Sequence, residues 1–507
     1  MQAEFDTVAA CIRHHARNQP THPALQDEHA QLSYAQLDAL MDRVAATLQR
    51  AGVRQGDVVA ICALNSVRMG ALFLGALRAG VVVAPMAPSS SPEALASMLG
   101  DAQPRLVFVD AAAPALVQAA AQLPCVALEP GAPGQGWDDW LAPAGSQPQP
   151  VAVQPGDAFN IIYSSGTTGV PKGIVQSHGM RWAHVRRGAQ YGYGPDGRTL
   201  LSTPLYSNTT LVIFFPTLAY GGTVVLMRKF GALAYLQLAA QLRITHTMLV
   251  PVQYQRLMAL AQFGDFDLSA LTQKFCTSAP FHAALKAEVL ARMPGRLTEL
   301  YGMTEGGGTC ILDAHLHPDK LHTVGHPAPG HDIRLIDEDG REVAPGETGE
   351  VVGHSPSMMN GYHGQSDKTR EVEWFDAAGK RFIRTGDVGR FDADGFLTLL
   401  DRRKDMIISG GFNIYPSDLE AQLREHPAVA DVAVVGVPSE QWGETPVAFV
   451  VLRAGGATSA DELRDWFNQR VGKTQRLADL RFTPELPRSA IGKVLKRELR
   501  EAFAAQT

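Results

Sequence analysis

Short apolar runs alternate with helix-like repeats through the first third of the chain, and this rhythm constrains the fold more than any other feature. Apolar runs occupy residues 57–64, 80–85 and 106–109. Repeats with helical spacing over residues 68–78 and 94–99 separate these runs. Strand, helix and strand at this spacing predict parallel pairing through right-handed crossovers. We therefore predict an α/β fold.

Local signals place other parts of the same region. Ser33 and Gln36 match a capping box, and apolar residues at helical spacing follow until Gly52, where we expect the helix to end. Residues 127–156 are rich in Pro, Gly, Ala and Gln, which is typical of a surface connection. The α/β rhythm then returns between residues 200 and 300.

The remainder of the chain has a different pattern. From about residue 324 short β-like runs alternate with Asp-rich turns, which predicts hairpins and a small β-rich subdomain. The last hundred residues or so predict a separate α+β unit, and the basic stretch 401–405 precedes it. A chain of 507 residues is too long for one ordinary core. We predict an N-terminal domain over residues 1–403, built from two α/β subdomains and the β-rich subdomain, and a C-terminal domain over residues 404–507.

Composition excludes several classes of protein. The 45 Lys and Arg residues and 51 Asp and Glu residues give a formal charge of −6, which argues against a general nucleic-acid-binding protein. No apolar stretch is long enough to span a bilayer, and neither end carries a targeting or lipidation signal. We therefore expect a cytoplasmic protein with neither nucleic acid nor membrane as a partner. The sequence leaves a homodimer open.

The segment from Tyr163 to Ile174 carries the strongest chemical signal. An apolar strand runs into a loop that offers hydroxyl groups, glycines and a lysine: Ser164, Ser165, Gly166, Thr167, Thr168, Gly169 and Lys172. Glycines let backbone N–H groups approach phosphate oxygens, while hydroxyl groups and the lysine add donors and positive charge. The loop is not a Walker A motif, because Val170 and Pro171 separate Gly169 from the lysine.

This segment resembles the phosphate loop of the adenylate-forming superfamily, which comprises acyl- and aryl-CoA ligases, luciferases and peptide-synthetase adenylation domains. The resemblance extends over nearly the whole chain through four further motifs in the expected order, and the style is closest to bacterial acyl- or aryl-CoA ligases. It implies ATP, Mg²⁺ and coenzyme A as cofactors. It also implies a mobile C-terminal domain that turns about a hinge, for which Lys404 is the candidate.

The resemblance assigns roles to four candidate catalytic residues. Lys172 belongs to the phosphate loop, Thr304 would contact phosphate, and Glu305 would bind the metal ion. A carboxylate near a triphosphate suits Mg²⁺ because the ion prefers oxygen ligands. Lys493 would reach the carboxylate and the α-phosphate during adenylation, where a cation stabilises developing charge. Without the resemblance, a lysine in a basic C-terminal stretch indicates solvated surface.

The same resemblance implies three binding regions. Asp387 would accept hydrogen bonds from both ribose hydroxyl groups, which suits an acceptor-only carboxylate. Gly410 and Gly411 would lie against the pantetheine arm of coenzyme A. The predicted ATP/AMP site comprises Ser164, Ser165, Gly166, Thr167, Thr168, Gly169, Lys172, Ser278, Ala279, Pro280, Glu299, Tyr301, Gly302, Thr304, Asp387 and Arg402. The predicted acyl pocket comprises Tyr206, Ser207, Asn208, Val252, Ala279, Gly302, Met303 and Gly307.

We therefore predict an ATP-dependent carboxylic acid–CoA ligase that forms an acyl-adenylate. Many family members carry His or another ring where Ser207 stands, so this chain lacks the ring that gates their coenzyme A tunnel. The small volume of residues 306–308 predicts room for an aromatic or medium-chain acid. The alternative is an enzyme that loads a carrier-protein thiol. Segment 206–210 lacks the Asp with which amino-acid adenylation domains of the family usually hold the α-amine, which argues against an amino acid as substrate. The presence of Lys172, Glu305, Asp387 and Lys493 together argues against a nucleotide-binding regulator without catalysis.

Overall fold

The computed structural model describes residues 5–113, 123–164, 172–402, 404–409, 412–453, 455–489 and 492–505. Contacts within the chain divide it into two compact units. The first unit comprises Met1–Leu321, Pro327–Asp332 and Gly353–Ile383, and the second comprises His322–His326, Ile333–Val352 and Arg384–Thr507. Both units mix helices and sheets, which confirms the predicted α/β class. The boundary at residues 403 and 404 stays a prediction.

One sheet of the first unit carries both ends of the candidate phosphate loop. From edge to edge its strands are Gly361–Tyr362, Lys172–Ser177, Ala158–Ser164, Val82–Met86, Val58–Cys62, Leu106–Val109, Cys125–Ala127 and Gln135–Gly136. The middle strands pair in parallel, as the apolar runs predicted, because strands covered on both faces are apolar throughout. Ala158–Ser164 and Lys172–Ser177 pair antiparallel, with Ser164 opposite Lys172. The two ends of the loop are therefore adjacent.

A second mixed sheet of the first unit positions the other candidate residues. Its strands lie in the order Thr309–Asp313, Arg296–Gly302, Gln273–Cys276, His246–Leu249, Arg198–Leu201, Thr223–Leu226, Pro23–Gln26 and Gln31–Ser33. The strands from Gln273 to Gly302 are parallel, so their carboxyl ends share one edge. Ligands of open α/β sheets bind at that edge. His326–Pro327 is a further short strand.

Helices of the first unit pack against these sheets. Ser33 and Gln36 form the predicted capping box, with a Gln36 N–H to Ser33 Oγ distance of 3.3 Å and a Ser33 N–H to Gln36 Oε1 distance of 2.9 Å. The α-helices are Val8–Asn18, Tyr34–Arg50, Val67–Arg78, Pro92–Ala102, Trp137–Trp140, His178–Arg187, Asn208–Ala219, Ala232–Gln241, Pro251–Met258, Ala283–Arg292 and Ser366–Glu371. The 3₁₀ helices are Gly188–Tyr191 and Ala261–Asp265. Burying one large apolar side chain in their shared core contributes about 1.5–3 kcal/mol.

The second unit contains two further sheets. The strands Asp332–Ile336, Gly349–His354, Arg381–Phe391 and Leu397–Arg402 lie wholly or mainly in it, and Glu373–Phe375 pairs with residues 381–383 in the first unit. The other sheet comprises Ile407–Ser409, Phe412–Ile414, Val429–Ser439, Gly443–Leu452 and Asp479–Phe482. The helices of this unit are Pro416–Arg424, Ala460–Asn468, Lys473–Gln475 and Lys496–Ala504. The first of these sheets corresponds to the predicted β-rich subdomain with Asp-rich turns, and the second sheet with its helices corresponds to the predicted C-terminal α+β unit.

The prediction of a surface connection over residues 127–156 is wrong in part. A short helix, Trp137–Trp140, interrupts the segment, and both tryptophans are buried. Trp140 packs edge-on against Phe108, with 5.0 Å between ring centres. Local richness in Pro and Gly indicated a loop, but the two indole rings bury enough apolar surface to hold its middle in the core.

The buried side chain of Lys274 holds the main chain that follows the helix Ala283–Arg292. The Lys274 ammonium donates to the carbonyl oxygens of Met293, Pro294 and Gly295, at 3.1, 2.6 and 2.7 Å. Burial lowers the pKa of Lys274 to about 8.

We expect Lys274→Met to lower the stability of the first unit by about 3 kcal/mol, because buried carbonyl oxygens lose their donor. Thermal unfolding measures this loss. Lys229→Met, at an exposed position, is the matched control. Equal midpoints for the two variants would contradict the structural role of the ammonium.

Candidate active site

The structure brings the phosphate-loop lysine and the candidate metal ligand to one tyrosine ring. The Tyr362 hydroxyl donates to Glu305 Oε1 at 2.9 Å. Lys172 Nζ lies 5.1 Å from the centre of the same ring. Burial and the neighbouring Glu305 raise the pKa of Tyr362, so its hydroxyl remains a donor at neutral pH. A cation, a hydroxyl donor and a carboxylate therefore lie within one small region of the first unit.

Tyr362 was not among the predicted site residues. It enters the site because Gly361–Tyr362 pairs antiparallel with Lys172–Ser177, with Tyr362 opposite Ile174. The main-chain N–H of Met359 donates to the carbonyl oxygen of Glu305 at 2.8 Å and ties the same two segments together. No local pattern revealed this pairing, because the two segments are far apart in the sequence.

A buried polar network supports Thr304 and the predicted acyl pocket. The Gln176 amide donates to the Thr304 carbonyl oxygen at 2.7 Å. The Arg181 side chain, which is only 1% exposed, donates to Asn208 Oδ1 at 2.8 Å, to Asn160 Oδ1 at 3.0 and 3.1 Å, and to Gln176 Oε1. Burial lowers the pKa of Arg181 to about 9. The sequence analysis missed Asn160, Gln176 and Arg181, although amide side chains on apolar strands were a signal.

Backbone strain marks Ser278, which follows the strand Gln273–Cys276. Its φ of +83° lies in the left-handed region that side chains rarely adopt. Its Oγ lies 2.5 Å from Thr209 Oγ1, and the neighbouring Thr277 hydroxyl donates to the Leu300 carbonyl oxygen at 2.6 Å. Strain of this kind concentrates at ligand-binding sites. Ala279 and Pro280 follow directly, the former partly exposed and the latter exposed.

The Glu299 side chain has a protein partner. Its carboxylate forms a buried ion pair with Lys286, whose ammonium also donates to the Leu321 carbonyl oxygen at 2.8 Å. Burial raises the pKa of Glu299, and Lys286 opposes that rise. The predicted contact between Glu299 and nucleotide stays a prediction.

The expectation of spare volume at the glycine run is wrong at Gly306 and Gly307. A Cβ on Gly306 would lie 1.7 Å from the Ser357 carbonyl oxygen, and one on Gly307 would lie 2.7 Å from Ile383 Cβ. The φ of Gly306 is also positive, at +76°. These glycines therefore permit close main-chain packing beside Glu305, and protein atoms fill the space that a side chain would take.

The other predicted acyl-pocket residues follow or end strands at the carboxyl edge of the second mixed sheet. Ser207 caps the helix Asn208–Ala219 by accepting the Thr209 N–H at 3.3 Å, and it is buried. Burial raises the pKa of Tyr206 to about 12. Val252 lies in the helix Pro251–Met258, while Met303 packs against a cluster that includes Tyr362. Gly302 and Tyr301 end the strand Arg296–Gly302. Their roles as pocket residues stay predictions.

The second unit brings together the predicted site residues that the structure describes in it, namely Asp387, Arg402, Lys404 and Lys493. Asp387 and Arg402 lie opposite each other on paired strands, with Arg402 Nε 3.1 Å from Asp387 Oδ1. Burial, followed by the charges of Arg402 and Lys404, lowers the pKa of Lys493 to about 8, while Asp387 and Asp405 oppose that change. Burial also lowers the pKa of Lys404.

Arg488 holds the turn that carries Lys493, and the sequence analysis missed it. Arg488 Nη1 donates to the Gly492 carbonyl oxygen at 2.7 Å, and Nη2 pairs with Asp431 at 2.5 Å. The Ser489 N–H donates to the Lys493 carbonyl oxygen at 2.8 Å. These contacts fix the main chain on both sides of the predicted catalytic lysine.

Several predicted residues lie outside the described part of the chain. They are Ser165, Gly166, Thr167, Thr168 and Gly169 of the phosphate loop, and Gly410 and Gly411 of the predicted coenzyme A contact. Ser164 ends the strand Ala158–Ser164. In the described ranges no helix is long and apolar enough to cross a membrane.

Comparisons with known proteins agree over nearly the full length. The model of the AMP-binding enzyme family matches residues 12–363, and that of the AMP-binding enzyme C-terminal domain matches residues 418–493. The indoleacetate–CoA ligase of Aromatoleum aromaticum is 35% identical, with 98% of each chain covered. The fatty acid–[acyl-carrier-protein] ligase of Streptomyces coeruleorubidus is 33% identical, with 99% of this chain and 97% of the relative covered.

A solved structure gives the same result for the fold. The amide bond synthetase of Marinactinospora thermotolerans superposes with a TM-score of 0.87 at 29% identity, covering 98% of this chain and 99% of the other. The predicted arrangement of a large N-terminal and a small C-terminal domain is confirmed at this level.

Proposed function

The chain belongs to the family of AMP-binding, adenylate-forming enzymes, and on that premise we propose its substrates and the residues that carry its chemistry. It is an ATP-dependent, AMP-forming carboxylic acid–CoA ligase. The acid is aromatic or medium-chain, which the similarity to an indoleacetate–CoA ligase supports. A cytoplasmic location and a homodimer stay predictions.

The arrangement of Lys172, Tyr362 and Glu305 carries the assignment of residues. Lys172 supplies a positive charge for phosphate, and the Tyr362 hydroxyl at 2.9 Å orients the Glu305 carboxylate. A carboxylate has about four lone-pair sites, so one hydroxyl donor leaves acceptor capacity for Mg²⁺. The residues present therefore fit the ion. When bound, Mg²⁺ would neutralise phosphate charge.

The proposed reaction has two steps. A carboxylate oxygen of the acid attacks the α-phosphorus of ATP, the bond to the β-phosphate oxygen breaks, and pyrophosphate leaves. The coenzyme A thiol then attacks the acyl carbon after losing its proton, and AMP leaves. Asp387 and Arg402 hold ribose and phosphate, Lys493 stabilises charge in the first step, and Lys404 is the hinge between the steps.

The proposed function and its alternative differ in the acceptor of the acyl group, which is coenzyme A in the first and a carrier-protein thiol in the second. One relative transfers its acyl group to an acyl-carrier protein, and the structural neighbour is an amide bond synthetase. Purified protein with MgATP, coenzyme A and pooled aromatic and medium-chain acids should yield AMP and a thioester in equal amounts, as read by mass spectrometry. AMP without a thioester would favour a carrier-protein thiol or an amine as acceptor.

The lowered pKa of Lys493 predicts a pH dependence for adenylation. Below its pKa of about 8 the side chain is an ammonium, and above it the stabilising charge is lost. We expect kcat/KM for pyrophosphate exchange to fall as pH rises through 8, because this parameter reports groups of the free enzyme. In Lys493→Arg, whose guanidinium stays charged, that fall should move to higher pH. Identical profiles for the two proteins would assign the ionisation to another group.

A further inference from the structure

A buried network of amide side chains reaches the carboxyl edge of the second mixed sheet. Gln176 Nε2 donates to the Thr304 carbonyl oxygen at 2.7 Å and to Asn208 Oδ1 at 3.3 Å. Thr304 follows the strand Arg296–Gly302. Asn208 begins the helix that comes after the strand Arg198–Leu201. Direct hydrogen bonds therefore place Asn208 within one amide group of the predicted phosphate contact.

The Arg181 guanidinium sets the orientation of the amides in this network, because it has N–H donors and no acceptor. Its Nε and Nη2 donate to Asn160 Oδ1 at 3.1 and 3.0 Å, and Nη2 also donates to Gln176 Oε1. Asn160 Nδ2 donates to Gln176 Oε1 at 3.0 Å. The Gln176 oxygen is committed to these donors, so its Nε2 is turned toward Thr304 and Asn208.

Asn208 is the member of the network that remains accessible. It is partly exposed, whereas Arg181 and Gln176 are buried. Its Oδ1 accepts from Arg181 Nη1 at 2.8 Å and from Gln176 Nε2 at 3.3 Å, which uses both lone pairs of the oxygen. Its Nδ2 makes no hydrogen bond with any residue that the structure describes. Because a flipped amide would set Nδ2 against two donors, Asn208 presents N–H groups beyond the network.

The charge of Arg181 strengthens this donor. No carboxylate among the described residues pairs with the guanidinium, which lies between the rings of Phe159 and Phe215 at 5.9 and 5.8 Å from their centres. Burial lowers the pKa of Arg181 to about 9, so the side chain stays charged at neutral pH. Hydrogen bonds in a chain polarise one another, so a cation behind Asn208 Oδ1 makes its Nδ2 a better donor.

The residue after Asn208 contacts another part of the predicted site. Thr209 Oγ1 lies 2.5 Å from the hydroxyl of Ser278, whose backbone is strained. Ser278 comes after the parallel strand Gln273–Cys276, at the edge where open α/β sheets bind their ligands. The segment 208–209 is thus linked to both segments that we predict to contact nucleotide, at 278 and at 304.

We propose that Asn208 determines specificity by donating a hydrogen bond to an oxygen on the acyl part of the acid, and that Arg181 is the positioning residue that holds it for this contact. A hydrocarbon acid would exclude water from Nδ2 without replacing its hydrogen bond. A site with a fixed donor rejects a ligand that leaves the donor unpaired. The inference rests on the proposed function and narrows the substrate to an acid with a hydroxyl or ether oxygen beyond its reacting carboxylate.

Acids that differ by one oxygen test this proposal. We would measure kcat/KM for the acid in pyrophosphate exchange, which reports the first step whatever the acyl acceptor. The probes are benzoate, cinnamate and octanoate, each beside its monohydroxy and monomethoxy derivatives, the aromatic ones at every ring position. Wild-type protein should prefer at least one oxygenated acid over its parent about tenfold, the value of one hydrogen bond. Asn208→Leu should abolish that preference by lowering kcat/KM for the oxygenated acid alone.

Two further variants separate donation from orientation. In Asn208→Asp a carboxylate still accepts from Arg181 but has no N–H. Only a hydroxyl can donate to it, so kcat/KM should fall further for the methoxy than for the hydroxy derivative. Arg181→Met frees the Asn208 amide and should lower the preference, whereas a merely destabilised protein would keep the ratio between parent and oxygenated acid. Arg186→Met, at an exposed position of the same helix, should also keep the wild-type ratio.

The outcomes separate this inference from the ligase function. Exchange with no preference for any oxygenated acid would overturn the role of Asn208 and leave the ligase intact. Equal losses for parent and oxygenated acids in Asn208→Leu would overturn it too, because they would place Asn208 at the reacting carboxylate. A wild-type preference in Arg181→Met would remove the positioning role. No exchange with any of these acids would contradict the proposed substrate class, and this inference with it.

Discussion

Replacing Lys493 by alanine should lower the rate of acyl-adenylate formation about 100- to 1000-fold, since one positioned group that stabilises developing charge is worth that much. The structure places Lys493 on a turn fixed by Arg488 and beside Asp387 and Arg402. Loss of the side chain removes the charge without removing these supports. Pyrophosphate exchange measures the first step.

The second step provides the control for Lys493→Ala. Thioester formation from synthetic acyl-adenylate and coenzyme A should remain within a few-fold of wild type. This assay starts after adenylation, which is the step that the charge of Lys493 serves. Lys473→Ala, at an exposed position in the same unit, should leave both steps unchanged. Pyrophosphate exchange at the wild-type rate in Lys493→Ala would remove this residue from the mechanism.

Glu305→Gln should lower kcat/KM about 100-fold and raise the Mg²⁺ concentration needed for half-maximal rate, because a neutral amide is a poor ligand for a hard cation. The glutamine oxygen can still accept the Tyr362 hydroxyl, so the local packing is retained. A titration of rate against Mg²⁺ at fixed ATP gives both values.

Tyr362→Phe is the matched comparison for Glu305→Gln. It removes the 2.9 Å hydrogen bond but keeps the carboxylate and the ring beside Lys172. We expect a loss of about tenfold with a smaller change in Mg²⁺ dependence. An unchanged Mg²⁺ requirement in Glu305→Gln would show that this carboxylate does not hold the ion.

Much of the fold followed from periodicity that is visible in the sequence. The run 106–109 is the strand Leu106–Val109, and the helix expected over 68–78 is Val67–Arg78. Such segments are predictable because burial on two faces, or on one helical face, leaves a regular pattern. Residues 127–156 escaped prediction because two buried indole rings outweigh a loop-like composition.

The candidate site was predictable only where a motif carried it. Lys172, Glu305, Asp387 and Lys493 stand in such motifs, whereas Tyr362 and Arg181 join the site through pairing and packing over long sequence distances. The presence of an arginine or a tyrosine in the sequence does not by itself indicate whether the side chain lies at the surface, in the core or in a binding site. The ion pair of Glu299 with Lys286 was missed for the same reason.

The central claim is that the acid is activated through an acyl-adenylate, and oxygen transfer tests it most directly. Acid labelled with ¹⁸O in its carboxylate would be incubated with protein, MgATP and coenzyme A, and the nucleotide products analysed by mass spectrometry. Because the attacking carboxylate oxygen stays on the α-phosphorus when the thiol displaces AMP, we predict AMP that carries one ¹⁸O atom. Unlabelled AMP formed alongside the thioester, or ADP in its place, would contradict the account.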